Sequence, residues 1–210
     1  MAAVAARMKE AAFGIRVHSG WGALVAVAGN PAAAQVLTRS RITIVDRKAG
    51  AAQPYHFAQG QSLAAAERHL AQCAASSERL AFEGLREAVD EIGRGGPAIA
   101  GCAILLASGR ALPELSKVLA SHPLIHTAEG EFFRQAFWKA AERLDIPVAG
   151  FRERDLEQQA RSVFGKAAGH AASTIANLGK VMGPPWTADQ KLATLAALLL
   201  LARDGDAVRD

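Results

Sequence analysis

The sequence predicts a single α/β domain: a mixed five-stranded sheet whose first three strands are antiparallel, with helices on both faces and extra helices at the C-terminus. Three observations predict it. β-rich runs crowd the front of the chain, 15–17 and 23–28 meeting at His18-Ser19-Gly20, with a third at 35–46 close behind. A long stretch of helical period, 63–92, leads into a short continuous apolar run at 98–107. From there helical and strand-like segments alternate, the order in which a chain adds parallel strands to an existing meander.

Each element has a local cause. Gly29-Asn30-Pro31 is turn chemistry that stops the second strand. In the third, apolar and polar residues alternate, as suits a half-exposed strand at a sheet edge. Residues 48–61 carry Gly50, Pro54 and Gly60 and read as a loop, with Tyr55, His56 and Phe57 as its notable content. Ser62 suits the N-cap of the long helix, whose stripe runs Leu63, Ala66, Leu70, Cys73, Leu80, Ala81, Leu85, Val89 and Ile92. The run 98–107 is apolar on both parities, so it is expected to be a central strand covered on both faces. A helix is expected from Thr127, with Glu129 and Glu131 in its electropositive first turn. A brief strand follows at 146–151, then helices at 154–164 and 171–181. Thr187-Ala188-Asp189-Gln190 is a capping box that opens the last helix, which runs to Arg203. Short flexible termini are expected at about 1–11 and 204–210.

Composition narrows the function classes. Residues 1–61 hold seven Lys/Arg against two acids, whereas 62–210 hold 17 against 18, so the formal +4 sits in the strand-rich third. That asymmetry suits a phosphate-bearing partner, although no dense basic run with interleaved aromatics is present. Cys73 and Cys102 lack zinc-ligand spacing and read as buried thiols of a reducing compartment. The first residues have no secretion-signal core, and the apolar run 192–202 is too short to span a bilayer, so a cytoplasmic protein without membrane contact is expected. The sequence contains no GxxxxGK, GxGxxG or GxSxG pattern, which removes the usual support for nucleotide kinases, dinucleotide oxidoreductases and serine hydrolases.

Gly14-Ile-Arg-Val-His-Ser-Gly with its second strand, the apolar strand after a long helix, and Asp189-Gln-Lys-Leu-Ala-Thr-Leu-Ala-Ala occur in an order that resembles the ribonuclease H-like superfamily. The likeness is to its Holliday-junction resolvase (RuvC-type) branch and covers about 13–203. It implies a ribonuclease H-like domain that binds or processes nucleic acid or another phosphorylated ligand. It also implies carboxylates near the first strand, central strand and last helix that hold divalent metal. This chain departs at two of the three: His18 stands where the first-strand acid is expected, and the central strand ends in Ala107-Ser108-Gly109. Asp189 alone fits, so a hard, oxygen-rich magnesium site is not expected.

The candidate site follows from these residues. His18 at a strand end, His126 and Asp189 are the candidate catalytic groups, with imidazole as base, ligand or phosphate donor. Ser19, Gly20, Ser108 and Arg110 are the candidate substrate-binding residues, the last two as an anion-holding loop. His18 and His126 with Glu129 or Glu131 would make a nitrogen/oxygen site for divalent zinc or manganese. The two glutamates diverge by about 200° on a helix, so one of them at most faces such a site. His56 lies in a segment that reads as a loop anchored by Tyr55 and Phe57, in preference to a site residue. Trp21, Phe132 and Trp138 are candidates for base stacking. Gly130 hints at close backbone approach. Two alternatives stand beside the nuclease-like reading: a non-catalytic interaction module, for which the 63–92 helix offers a homodimer surface, and a histidine/metal-dependent small-molecule hydrolase.

Overall fold

A computed structural model describes residues 10–46, 50–93, 96–107 and 111–207. Five strands form its sheet: β1 Glu10–His18, β2 Trp21–Ala28, β3 Gln35–Thr43, β4 Ala98–Leu106 and β5 Val148–Arg152. Their order is β3-β2-β1-β4-β5. β1 pairs antiparallel with β2 and β2 with β3, while β4 lies parallel to β1 and β5 to β4. The expected mixed sheet is present, with the apolar run beside the first strand. Two antiparallel steps bring β3 back to the direction of β1, so the C-terminal ends of β1, β3, β4 and β5 share one edge. In open α/β sheets that edge is where ligands bind.

Strand parity divides the protein into two cores. Odd residues of β1, Phe13 and Ile15, bury with Leu24, Ile42, Leu85, Phe133 and Phe137 beneath α2 (Leu63–Ile92) and α4 (His122–Arg143). On the opposite face, Ala12 buries with Val25, Ala103, Leu105 and the Ala193 to Leu200 run. That second layer consists of α5 (Leu156–Phe164), α6 (Ala168–Met182) and α7 (Ala188–Ala207). Two short helices, α1 (Pro54–Ala58) and α3 (Leu115–Leu119), complete the chain.

Several local expectations need revision. The 48–61 segment contains α1, because Pro54 in its first turn presets helical φ and Ala58 and Pro54 bury. α4 begins at His122 rather than Thr127, with Ser121 as N-cap and a proline in its first turn. Glu129 and Glu131 therefore lie beyond the first turn, and the helix dipole does not explain them. The strands are longer than their apolar centres: β1 starts at Glu10, within the expected flexible terminus, and α7 continues to Ala207. At Gly130 the atoms nearest an added Cβ belong to the end of the Arg134 side chain, not to backbone. The stripe on α2 (Ala66, Leu70, Cys73, Ala81, Leu85, Ala88) is buried within the chain, which removes the motive for a homodimer through that helix. The capping box at Thr187 is as expected: the Thr187 backbone N–H donates to Gln190 Oε1 at 2.9 Å. Among the described residues, no helix is long and apolar enough to cross a membrane.

Candidate functional site

Gly14 sets the position of α7. A Cβ there would stand 1.9 Å from the carbonyl oxygen of Ala193, so only glycine lets the helix backbone rest on β1. Moving two residues along β1 covers about 6.6 Å, and moving back four residues along α7 covers about 6 Å. The two steps nearly match, and they bring Arg16 to Asp189. His18, two residues further on the same strand face, reaches the same carboxylate. Parity and one glycine thus place three polar side chains together at the edge where the strands end.

Arg16 is the centre of this network. Its Nη1 donates to Asp189 Oδ1 at 2.6 Å, and its Nε and Nη2 form a fork on Glu153 at 3.0 and 2.8 Å. Glu153 comes from the turn just after β5. His18 Nε2 lies 2.8 Å from Asp189 Oδ1. The hydrogen bond to Glu153 holds the Arg16 guanidinium above its ordinary pKa, desolvation opposing it and the bond to Asp189 adding to it. For Asp189, desolvation alone would raise the carboxyl, but the hydrogen bonds from Arg16 and His18 and their charges outweigh it and hold the group low. A cleft lined by Leu106, Ala107, Glu153, Arg154 and Leu192 opens beside the network.

The His18 ring is fixed from a second side. It stacks on Trp21 with centroids 4.2 Å apart and planes 10° from parallel. The Arg41 guanidinium stands 3.7 Å from the centre of the same indole. A guanidinium and an imidazole at those distances cannot share one face of the ring, so Trp21 is sandwiched and offers no open face to a base. Phe132 packs edge-on to Tyr55 and Phe133, and Trp138 Nε1 donates to Glu142. Arg39 donates to the carbonyls of Met182, Gly183, Pro184 and Pro185, tying β3 to the α6–α7 connection. All three described cations of the basic first third, Arg16, Arg39 and Arg41, thus have intramolecular partners; the others lie outside the described residues.

The structure brings His18 and Asp189 together but not His18 and His126. His18 projects on the α7 side of the sheet, whereas His126 belongs to α4 in the opposite layer, so the sheet stands between them. The expected mixed site of His18, His126 and a glutamate is not formed. His126 instead joins His122 and His56: its Nε2 lies 3.0 Å from His122 Nε2, and its ring centre 4.8 Å from that of His56. Glu129 is buried behind this group, accepting the His56 backbone N–H at 3.1 Å and lying 2.9 Å from His56 Nδ1. His56 Nδ1 makes no hydrogen bond at that distance. Glu131 turns away to Arg134 and Gln135. Ser19 is exposed in the β1–β2 turn. Gly20 holds φ 78° there, and its carbonyl accepts from Ile44 N–H. Ser108 and Arg110 lie outside the described residues.

Solved structures share this fold over most of the chain. Two are a Thermus thermophilus RuvC in complex with Holliday junction substrate and a Thermus thermophilus RuvC structure. The first has 13% identity and a TM-score of 0.52, the second 14% and 0.50; each alignment covers 93% of this chain and 96% of the other. The fold is ribonuclease H-like, of the RuvC type. Neither a protein-family model nor a curated protein sequence matches the chain.

On a ribonuclease H-like sheet the divalent metal centre implied by the resemblance belongs at this edge, and the residues present do not suit it. Glu153 and Asp189 already share a guanidinium, which supplies the cation that two converging carboxylates require. A magnesium ion would have to displace Arg16 and would find an imidazole where hard oxygen is needed. Sequence reasoning missed Arg16 and Glu153. Arg16 was detectable, because it shares a strand face with His18; Glu153 carries no such signal, since only the packing of β5 brings it near.

Proposed function

We propose that this chain binds branched or single-stranded nucleic acid along the C-terminal edge of its sheet and does not cleave it there by two-metal chemistry. The observation that carries the reading is the Arg16 guanidinium set between Glu153 and Asp189, which replaces a bound metal by a fixed cation. The likeness in fold to a RuvC in complex with Holliday junction substrate and the formal charge of +4 support nucleic acid as the ligand. His18 is oriented by Asp189 through Nε2 and by the Trp21 stack, so its ring is held in place at the edge where a nucleic-acid strand would pass. Arg41, exposed beside it, adds positive charge at the rim. Buried thiols at Cys73 and Cys102 support a cytoplasmic setting.

Fluorescence anisotropy with a four-way DNA junction and with single-stranded DNA, across a salt series, tests this reading alongside cleavage assays in magnesium and manganese. The expected result is binding that weakens with salt and with His18→Ala or Arg41→Ala, and no metal-dependent cleavage. Absence of binding at low salt overturns the reading, as does cleavage abolished by Asp189→Ala. The histidine cluster around His126 favours a second reading, a metal-dependent hydrolase of small molecules, which requires that the cluster hold an ion.

A further inference from the structure

We propose that His56, His122 and His126 bind one divalent first-row transition-metal ion of the Zn²⁺ type, with Glu129 orienting His56 and one coordination position open to solvent. The site is separate from the Arg16 network, and it uses three residues from two helices that follow different strands.

The geometry is that of a three-imidazole site. His122 and His126 are four residues apart on α4, so they lie one above the other on a single helix face. Their Nε2 atoms stand 3.0 Å apart, and α1 supplies the third ring. One ring nitrogen from each histidine can be chosen so that all lie within 4.8 Å of one another. The ring centres form a nearly regular triangle of 4.5, 4.8 and 5.3 Å. Tetrahedral zinc with Zn–N near 2.0–2.1 Å places pairs of ligand nitrogens about 3.3 Å apart and their ring centres about 5 Å apart. The triangle of ring centres already has that size, and metal binding would draw the ligand nitrogens from within 4.8 Å of one another to about 3.3 Å.

Chemistry and support point the same way. Three imidazoles without a carboxylate among them favour zinc, cobalt, nickel or copper over magnesium or calcium. Glu129 is 4% exposed and lies against His56 Nδ1, which leaves Nε2 as the coordinating atom. Turned so that Nδ1–H donates to Glu129, His56 would adopt the arrangement in which a carboxylate orients a ligating histidine and raises its basicity. His56 is also held mechanically: Ala58 buries against Ala66 and Leu70, and Tyr55 packs beside Leu115 and Leu119. His122 and His126 are exposed, so the remaining coordination position faces water. Three protein ligands and one open position characterise catalytic rather than structural zinc sites.

The test uses the full, untagged chain after chelator stripping. Zn²⁺ affinity is measured in competition with a chromophoric chelator, and Co²⁺ binding by its visible d–d absorption. The expected result is one equivalent of metal and a tetrahedral Co²⁺ spectrum. Either His122→Ala or His126→Ala, both at exposed positions that leave the core intact, should abolish that spectrum. Glu129→Gln should weaken affinity about 10–100-fold, and His170→Ala, on exposed α6, should leave it unchanged. Zn²⁺ affinity insensitive to His122→Ala and His126→Ala, or the absence of a tetrahedral Co²⁺ spectrum, overturns the proposal. Because the readout is metal and not DNA, its failure is distinct from failure of nucleic-acid binding.

Discussion

Arg16 and Asp189, 173 positions apart in sequence, meet across 2.6 Å at the end of the first strand, and the oxygen that Arg16 engages also accepts His18 Nε2. One carboxylate oxygen thereby joins the start of α7 to the centre of the sheet edge. Stability, acid response and metal behaviour at this edge all depend on that junction.

Asp189→Asn is expected to lower stability by about 1–3 kcal/mol, the cost of leaving part-buried charged donors without their acceptor. The effect depends on pH in a defined direction. Asp189 titrates lower in the folded chain than unfolded, so its stabilisation is complete above about pH 4 and is lost as pH falls through the folded value. Urea midpoints of the native protein and of Asp189→Asn should therefore converge on acidification from pH 7. A gap that stays constant would show that the ion pair contributes nothing.

Arg16→Asp would replace the fixed cation by a third carboxylate beside Glu153 and Asp189. The variant is expected to melt at lower temperature than the native chain in chelator and to recover in millimolar Mg²⁺, an ion that neither the native edge nor an all-imidazole site favours, while the native protein does not respond to it. Thermal denaturation with and without metal checks this. An equal response of both proteins would contradict the role assigned to Arg16.

Gly14→Ala should be among the most damaging single substitutions in the sheet. The added carbon meets a backbone carbonyl, which cannot rotate away as a side chain can, so α7 must lift. We expect a loss of about 3 kcal/mol or more, measured by chemical denaturation. Gly60→Ala, where a Cβ has open space around it but φ is positive, should cost only about 1 kcal/mol.

Cys102 is fully buried in β4, and burial pushes its thiol up to about 12. Thiol labelling at neutral pH should leave it unmodified in the folded chain and modify it only on unfolding. Labelling at a rate matching that of the unfolded chain would mean that β4 is not a buried interior strand of the native protein.

What the residues alone decide here is what local physics can see. Alternation marks the edge strand β3, continuous apolarity the interior strand β4, and the Thr187/Gln190 box the start of α7, because each depends on neighbours a few positions away. Element ends were less legible: Pro123 in a first turn moves the start of α4 back to His122, and Pro54 makes a helix of an apparent loop. His18 and Asp189 were both recognisable as site candidates. Their partnership with each other, with Arg16 and with Glu153, and the separate grouping of His126 with His56 and His122, were decided only by tertiary structure. Strand parity sends His18 to one side of the sheet while α4 carries His126 on the other, and which charges then meet depends on how closely helix and strand backbones approach, a distance no local pattern encodes.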